Sequence, residues 1–193
     1  MLDEIRNDFN DALTAIRLSE EHLSRRLVAA VEMVCRCLRD GGCVFVFGNG
    51  GSAADSQHLA AELVGRFLVD RPALRAVALT VDTSILTAVA NDYGFEQVFS
   101  RQLEGLARAG DVAIALSTSG NSPNVTTALA AARRMGLGTI AFTGSGGGQC
   151  AELADVLLDV PAKTSPRIQE AHAVMYHILC KHVEGAMAGG KQA

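Results

Sequence analysis

The sequence contains few aromatic residues, no tryptophan and no long apolar run. Aromatic residues make up 5% of the 193 residues and apolar residues make up 49%, a balance that fits a helix-rich α/β protein. No apolar stretch reaches the length that crosses a membrane, and no charged segment followed by an apolar one opens the chain. We therefore expect a cytoplasmic protein without a membrane partner.

The chain also lacks an excess of basic residues and any paired-cysteine motif. Its net charge of −4 disfavours nucleic acid as the main partner. The cysteines are odd in number and contain no CxxC pair, so we expect small buried side chains in a reducing compartment rather than disulfides. They are Cys35, Cys37, Cys43, Cys150 and Cys180.

The N-terminal segment has the apolar periodicity of helices from Phe9 to Leu38, and the pair Gly41-Gly42 predicts where they end. The polar run Ser19-Glu20-Glu21 indicates a break between two helices. A helical segment ahead of the first strand has no crossover to make, so we expect it to pack against another subunit. We predict a single domain over residues 1–193, with N-terminal helices at 1–40 and an α/β core at 41–193.

Beyond residue 40, short apolar runs alternate with helical segments. This alternation predicts an α/β fold, a three-layer sandwich in which helices cover both faces of a five-stranded parallel sheet. The strands are predicted at 43–47, 76–80, 112–116, 138–143 and 156–159. The helices are predicted at 53–66, 83–91, 95–109, 123–135, 149–154 and 166–187, followed by a frayed tail from Gly189 to Ala193.

Two of the strands run into loops of glycine and hydroxyl residues that precede a helix. They are Gly48-Asn49-Gly50-Gly51-Ser52 (the glycine loop) and Ser117-Thr118-Ser119-Gly120-Asn121-Ser122 (the serine loop). Such loops offer backbone N–H groups and hydroxyls at the positive end of a helix, which favours a phosphorylated small molecule. The alternatives are an ordinary capping loop for the serine loop and a tight turn for the glycine loop. A third glycine-rich run, from Gly144 to Gly148, is more typical of a flexible turn.

Candidate metal-binding or proton-transfer residues lie on two predicted helices. His58 and Glu62 are four residues apart and share a face, where they could bind a metal, move protons or form a surface pair. Gln169 and His177 are about 12 Å apart along the last helix, too far for one ion unless extended side chains or different subunits bring them together. We expect structural or exposed positions for His22, His172 and His182.

Two further polar segments have weaker signals. By pattern, Asn91-Asp92-Tyr93-Gly94 is a polar turn that ends in glycine. Arg66 and Arg71, just beyond the helix that carries Glu62, could reach an anion or remain in solvent.

Together these segments resemble the sugar isomerase (SIS) fold and, within it, the phosphoheptose isomerase family, almost from end to end. The segments that carry the resemblance are the glycine loop, His58 to Leu63 with Gly65-Arg66, Asn91 to Gly94, the serine loop, and Arg167 to Glu170 with His177. One position departs from the pattern, because some members have an aspartate where this chain has Pro166. The resemblance therefore implies no role for residue 166.

The resemblance implies an aldose–ketose isomerase that converts D-sedoheptulose 7-phosphate into D-glycero-D-manno-heptose 7-phosphate, the first step towards ADP-heptose for lipopolysaccharide. It also implies a homotetramer with active sites between subunits and one zinc ion per subunit. The implied zinc ligands are His58, Glu62, Gln169 and His177, of which Glu62 and His177 form the catalytic acid/base pair. The implied phosphate ligands are Ser117, Thr118, Ser119 and Ser122, and the implied sugar contacts are Asn49, Gly50, Gly51, Ser52, Glu62, Asn91, Asp92 and Gln169.

Two other functions remain open from the sequence. The first is a non-catalytic SIS module that binds a protein such as the bacterial replication initiator, but those relatives lack the residues that stand here as Glu62 and His177. The second is an isomerase for another sugar phosphate, such as arabinose 5-phosphate. Those enzymes usually carry an additional regulatory region, for which this chain has no room.

Overall fold

The fold is that of a computed structural model, which describes residues 1–189. Beyond Gly189, the predicted tail lies outside the described residues. The helices are α1 (Leu2–Arg39), α2 (Gly51–Val64), α3 (Thr83–Tyr93), α4 (Ser100–Leu106), α5 (Pro123–Arg134) and α6 (Ser165–Met187), with 3₁₀ turns at Phe95–Gln97 and Gly148–Glu152. The strands are β1 (Val44–Gly48), β2 (Ala76–Ala78), β3 (Val112–Ser117), β4 (Gly138–Gly144) and β5 (Val156–Val160).

The five strands form one parallel sheet in the order β2-β1-β3-β4-β5, which confirms the predicted three-layer α/β architecture. Alternate residues of each strand point to opposite faces of the sheet. Val46 and Ile114 pack with α1, α2 and α6 on one face, and Phe45 and Phe47 pack with α4 and α5 on the other. The strands are short and apolar because helices cover both faces.

The N-terminal segment is a single helix, so the predicted break at Ser19-Glu20-Glu21 is wrong, as is the prediction of more than one N-terminal helix. Ser19 is buried and its hydroxyl donates to the carbonyl of Ala15 at 2.7 Å, a contact that lets a serine remain inside a helix. The C-terminal end of α1 is where the pair Gly41-Gly42 predicts it. Gly41 has φ +79°, and the N–H of Gly42 donates to the carbonyl of Cys37 at 2.8 Å, which is the Schellman arrangement.

Two predicted helices differ in kind from the helices observed. The segment 95–109 is divided into a 3₁₀ turn and α4, because Val98 and Phe99 between them turn into the core. The predicted helix 149–154 is also a 3₁₀ turn. The remaining predicted elements differ from the observed ones by at most two residues at either end, which is the usual uncertainty of helix and strand boundaries.

Other predictions concern side-chain chemistry and the membrane. All five cysteines lie in the described part of the chain, and each is free and buried, as predicted. Within residues 1–189, none of the helices is both long and apolar enough to cross a membrane.

Candidate active site at the carboxyl edge of the sheet

The glycine loop and the serine loop lie side by side at the carboxyl edge of the sheet. They follow β1 and β3, which are adjacent strands with Gly48 opposite Leu116. The chain leaves β1 for β2 in one direction and β3 lies in the other, so the crevice between the two loops is the point at which α/β proteins bind ligands. A Cβ atom on Gly48 would lie 2.7 Å from the Leu116 carbonyl oxygen, so this approach requires glycine.

The serine loop leaves the first turn of α5 available to an anion. The Oγ atom of Ser122 lies 3.1 Å from Oγ of Ser117, so the hydroxyl at the start of α5 is directed to its own loop rather than to the N–H groups of the helix. The hydroxyl of Thr118 lies 3.2 Å from Oγ of Ser165 at the start of α6. Ser122 makes no side-chain cap, so this geometry differs from an ordinary capping loop. Pro123 has no N–H and the N–H of Val125 donates to the carbonyl of Ser122 at 3.0 Å, so the loop presents mainly hydroxyls at the start of α5.

The run from Gly144 to Gly148 forms a turn after β4, as predicted, and this turn contacts the serine loop. The N–H of Gly144 donates to the carbonyl of Thr118 at 3.0 Å, and the N–H of Cys150 donates to the carbonyl of Gly120 at 3.0 Å. Gly120 has φ +65°, and a Cβ atom on it would lie 2.0 Å from the carbonyl oxygen of Gly147. The two loops are therefore in contact along their backbones.

An amide pair joins the glycine loop to α5. Asn49 and Asn124 exchange two side-chain hydrogen bonds, each 2.8 Å long. Asn124 is buried and was not found by sequence reasoning; its only signal is its place in the first turn of the helix that follows the serine loop. Ser52, a predicted sugar contact, is also buried, with 3% of its surface exposed.

Gln169 lies over the start of α2. A Cβ atom on Gly51 would lie 2.6 Å from the amide nitrogen of Gln169. In this conformation the Gln169 side chain occupies the space that a Cβ atom at residue 51 would fill. Gln169 thus lies beside the glycine loop, two turns of α6 from His177, which is the residue with which the resemblance groups it as a zinc ligand. Pro166 lies in the first turn of α6, where the absence of an N–H group costs no helical hydrogen bond.

His58, Glu62 and His177 converge where α2 and α6 meet. One ligand atom from each of these side chains lies within 4.8 Å of those of the other two. Nε2 of His58 is 3.0 Å from Oε1 of Glu62, and the rings of His58 and His177 are 5.0 Å apart at their centroids. The three residues come together within one chain, so for His177 the question of a second subunit does not arise. His58 and Glu62 are therefore more than an isolated surface pair.

Two residues that sequence reasoning missed lie behind His58. The phenol oxygen of Tyr176 is 3.1 Å from Nδ1 of His58 and 3.5 Å from Oδ1 of Asp55. Burial, and then the charge of Asp55, raise the pKa of Tyr176 to about 12, so the phenol stays protonated. Burial also raises the pKa of Asp55, although the hydrogen bond from Tyr176 and the nearby His58 and His177 oppose that shift.

A buried ion pair fixes the segment after α2, so Arg71 does not remain in solvent, and the anion that it reaches is a carboxylate of the chain itself. Nε of Arg71 lies 3.4 Å from Oε1 of Glu184, and both side chains are 2% exposed. Glu184 also accepts the N–H groups of residues 67–69 at 2.6 to 2.9 Å. Burial alone would raise the pKa of Glu184, but these donors and Arg71 outweigh it and lower the pKa. Phe67, which this segment carries, stacks on His177 with ring centroids 5.7 Å apart.

The other candidates lie away from this cluster or in the core. Asn91 and Asp92 lie in the last turns of α3 rather than in a turn, and the amide of Asn91 donates to the carboxylate of Asp92 at 2.7 Å. Both side chains are exposed in the single chain, as is Arg66. His172 is fully buried, with Nε2 3.0 Å from the carbonyl oxygen of Thr143, which confirms a structural position. Exposed positions are likewise confirmed for His22 and His182.

Comparison with known proteins agrees with this arrangement. The SIS domain family matches residues 8–144. A phosphoheptose isomerase of Geotalea daltonii is 48% identical over 192 residues, covering 100% of both chains. The structure of a phosphoheptose isomerase from Neisseria gonorrhoeae has a TM-score of 0.90 at 44% identity and covers 96% of this chain and 100% of that one. One from Francisella tularensis has a TM-score of 0.91 at 35% identity and covers 95% of this chain and 97% of that one. The family match, the sequence identity over the whole length and the shared fold show that this chain belongs to the phosphoheptose isomerase family of SIS-domain proteins.

Proposed function

We propose that this chain is an aldose–ketose isomerase that converts D-sedoheptulose 7-phosphate into D-glycero-D-manno-heptose 7-phosphate, the first step towards ADP-heptose for lipopolysaccharide. The observation that carries this proposal is the convergence of Glu62 and His177 on α2 and α6, the two helices that begin beside the glycine loop and the serine loop. A proton-transfer pair and an anion site are what the isomerisation of a sugar phosphate needs, and active sites completed between subunits would bring the two together.

The serine loop would hold the phosphate. Its hydroxyls at the start of α5 suit a dianion, because the helix dipole adds positive potential there. The proposed phosphate ligands are Ser117, Thr118, Ser119 and Ser122. The glycine loop and its neighbours would contact the sugar through Asn49, Gly50, Gly51, Ser52, Glu62, Asn91, Asp92 and Gln169.

Glu62 would move the proton between C1 and C2 of the open-chain sugar. A carboxylate can remove the proton from one carbon and return it to the other through an enediol, so that one residue serves both halves of the reaction. The side chain of Glu62 is 21% exposed, which leaves it within reach of a substrate. His177 would transfer protons at the two oxygens, since an imidazole both donates and accepts near neutral pH.

The donor set fits a zinc ion. Two imidazoles and a carboxylate are ligand types that zinc prefers, and their atoms already lie within 4.8 Å of one another. Gln169 lies two turns of α6 from His177, so its amide oxygen would complete the set with His58, Glu62 and His177 from another subunit, one ion per subunit. Zinc, when bound, would polarise the substrate carbonyl and stabilise the negative charge that develops on it.

Two further properties are part of the proposal. Exposed apolar residues of α1, among them Phe9 and Leu13 at 68% and 63% exposure, support a homotetramer, with active sites completed between subunits. Five free thiols support a cytoplasmic location, since that compartment keeps cysteines reduced. A non-catalytic SIS module would have no need for Glu62 and His177 to converge, so their geometry favours the enzyme.

Turnover of sedoheptulose 7-phosphate by the purified protein, followed by NMR with and without a chelator, tests this function. We expect an aldoheptose phosphate signal that chelation removes and added zinc restores. Turnover that survives chelation would keep the isomerase and reject the role of zinc. A folded, zinc-loaded protein that forms no product would reject the isomerase, and arabinose 5-phosphate would then be the next substrate to try.

A further inference from the structure

A short series of polar groups lies behind His58, on the side away from Glu62. Nδ1 of His58 is 3.1 Å from the phenol oxygen of Tyr176, and that oxygen is 3.5 Å from Oδ1 of Asp55. The other ring nitrogen, Nε2, is 3.0 Å from Oε1 of Glu62. Each nitrogen of His58 therefore has a polar neighbour, and the two neighbours lie on opposite edges of the ring.

The carboxylate of Asp55 decides which way these hydrogen bonds run. An ionised carboxylate only accepts hydrogen bonds, and a phenol has a single proton to donate. Within residues 1–189, the partly buried side chain of Asp55 accepts a side-chain hydrogen bond from Tyr176 alone. If the phenol proton goes to Asp55, the phenol oxygen has only lone pairs to offer His58. The hydrogen of His58 must then be on Nδ1.

This tautomer leaves Nε2 as a lone pair that faces the carboxylate of Glu62. Two acceptor atoms 3.0 Å apart repel each other unless a positive charge lies near both. A cation bound by His58, Glu62 and His177 removes that repulsion. The groups behind His58 therefore prepare its Nε2 atom to bind a metal, because a hydrogen bond at one ring nitrogen fixes what the other can do.

We propose that Tyr176 is a positioning residue for His58. The phenol oxygen of Tyr176 accepts a hydrogen bond from Nδ1–H of His58, and its hydroxyl donates a hydrogen bond to Asp55. This arrangement keeps Nε2 of His58 directed towards Glu62 and His177 as a metal ligand. This proposal rests on the zinc site of the proposed function and deepens it. Tyr176 is well suited to the task because it is 2% exposed and its ring packs edge-on against those of His58 and His177, at 5.5 and 4.7 Å between centroids.

Zinc affinity, measured by competition with a chromophoric chelator, tests the proposal without reference to turnover. Tyr176→Phe removes only the phenol oxygen, and Asp55→Asn keeps an acceptor oxygen but removes its charge. We expect the dissociation constant for zinc to rise about 10- to 100-fold in Tyr176→Phe and by less in Asp55→Asn. Tyr93→Phe, which changes the exposed second tyrosine of the chain, is the matched control and should bind zinc like the wild type.

A second readout separates positioning from a loss of structure. In zinc-loaded protein with ¹⁵N-labelled histidine, the Nδ1–H proton of His58 should be visible and slow to exchange with water. Tyr176→Phe should lose that signal while its melting temperature without zinc remains that of the wild type, because the ring still fills the same space. We also expect kcat to fall with little change in KM, since the sugar contacts are untouched.

The outcomes distinguish this proposal from the one on which it rests. Wild-type zinc affinity in both Tyr176→Phe and Asp55→Asn would overturn the positioning role and leave the zinc site standing. A persistent, slowly exchanging Nδ1–H signal in Tyr176→Phe would overturn it as well. If the wild type itself bound no zinc, the zinc site would fall, and this proposal with it.

Discussion

Side chains around the candidate site differ in solvent exposure, and this difference separates groups that can react with a substrate from groups that fix the geometry of the site. The side chains of His58 and Glu62 are 47% and 21% exposed, which leaves them accessible to a substrate or an ion. Tyr176 and His172, on the same helix as His177, are 2% and 0% exposed. Accessible groups can exchange protons with a substrate, whereas buried groups hold a geometry.

Replacing Glu62 with glutamine tests the proton shuttle at the level of one residue. Glutamine has nearly the same shape but cannot accept a proton, so we expect kcat/KM for sedoheptulose 7-phosphate to fall by about 10²- to 10⁴-fold. The NMR turnover assay gives the rate, and circular dichroism checks the fold. Glu152→Gln, at an exposed glutamate outside the site, should retain full activity. A Glu62→Gln variant that kept most of its activity would show that another group is the base.

The buried side chain of His172 should make the free energy of unfolding depend on pH. Burial lowers its pKa to about 4, although the contact with the Thr143 carbonyl opposes that shift. The unfolded chain, with a histidine pKa of about 6.5, binds this proton more readily than the folded chain does between pH 6.5 and 4. The free energy of unfolding should therefore fall as the pH drops through this range, by roughly 3 kcal/mol in all from this residue.

Urea unfolding at pH 7 and pH 4.5 measures this contribution. His172→Gln keeps an N–H group that can donate to Thr143 but does not titrate, so its free energy of unfolding should fall less between the two pH values. An equal fall in the variant and the wild type would assign the acid sensitivity to other groups. Exposed His182 provides the control, since His182→Gln should change nothing in this comparison.

The site residues that could be found from the sequence lie close together along the chain, whereas those that were missed lie far apart along it. His58 with Glu62, and the hydroxyls of the serine loop, are local patterns, because their members are close along the chain. Asp55, Tyr176 and Asn124 act through contacts between separate elements, and those contacts become visible only when the helices are packed.

At the scale of elements, the candidate site depends on loops that support one another. The serine loop rests on the run from Gly144 to Gly148, and the glycine loop is joined to α5 by the pair of Asn49 and Asn124. Such contacts hold the loops at fixed positions before a ligand arrives, which lowers the entropy lost on binding.

Gly120→Ala tests whether this support matters for phosphate binding. Alanine at φ +65° is strained, and its Cβ would lie 2.0 Å from the carbonyl oxygen of Gly147, so the loops must separate. We expect KM for the sugar phosphate to rise about tenfold, equivalent to about 1.4 kcal/mol, and the protein to be destabilised. Gly105→Ala is the matched control, because that position in α4 is exposed and has open space around its Cβ. An unchanged KM in Gly120→Ala would mean that the phosphate lies elsewhere.

The elements themselves could be predicted to the extent that their pattern is local. Alternating apolar runs were enough to predict the five strands, because a sheet covered on both faces requires them. The break expected at Ser19 and the long helix expected at 95–109 failed for one reason. Burial decided both, since Ser19 satisfies its hydroxyl inside the helix while Val98 and Phe99 turn into the core.

At the scale of the whole molecule, a single chain leaves apolar surface uncovered. Phe9 and Leu13 are exposed on the N-terminal part of α1, and every residue of α3 keeps some exposure. A groove between α1 and α6 is lined mainly by apolar side chains, including those of Leu27 and Ile178. Surface of this kind is typical of a subunit interface.

Light scattering coupled to size-exclusion chromatography tests this interpretation. We expect the wild type to have four times the 20.2 kDa mass of one chain. Replacing Phe9 and Leu13 with serine should shift the protein to smaller species. It should also lower the melting temperature, because association between subunits no longer stabilises the folded chain. Asp11→Ser, on the same exposed part of α1, should leave the mass unchanged. A wild type that eluted as a single chain would contradict the tetramer.

The ion pair of Arg71 and Glu184 has a consequence for local opening motions. Residues 67–69 form no regular structure, yet their N–H groups all donate to a carboxylate buried on α6. Opening this segment alone would take three hydrogen-bond donors from a buried carboxylate, which costs several kcal/mol, on the order of 1–3 for each donor lost. The amide hydrogens of residues 67–69 should therefore exchange with D₂O much more slowly than those of other irregular segments, as mass spectrometry would show. The wall of the site that holds Phe67 against His177 would then open only rarely in the folded protein.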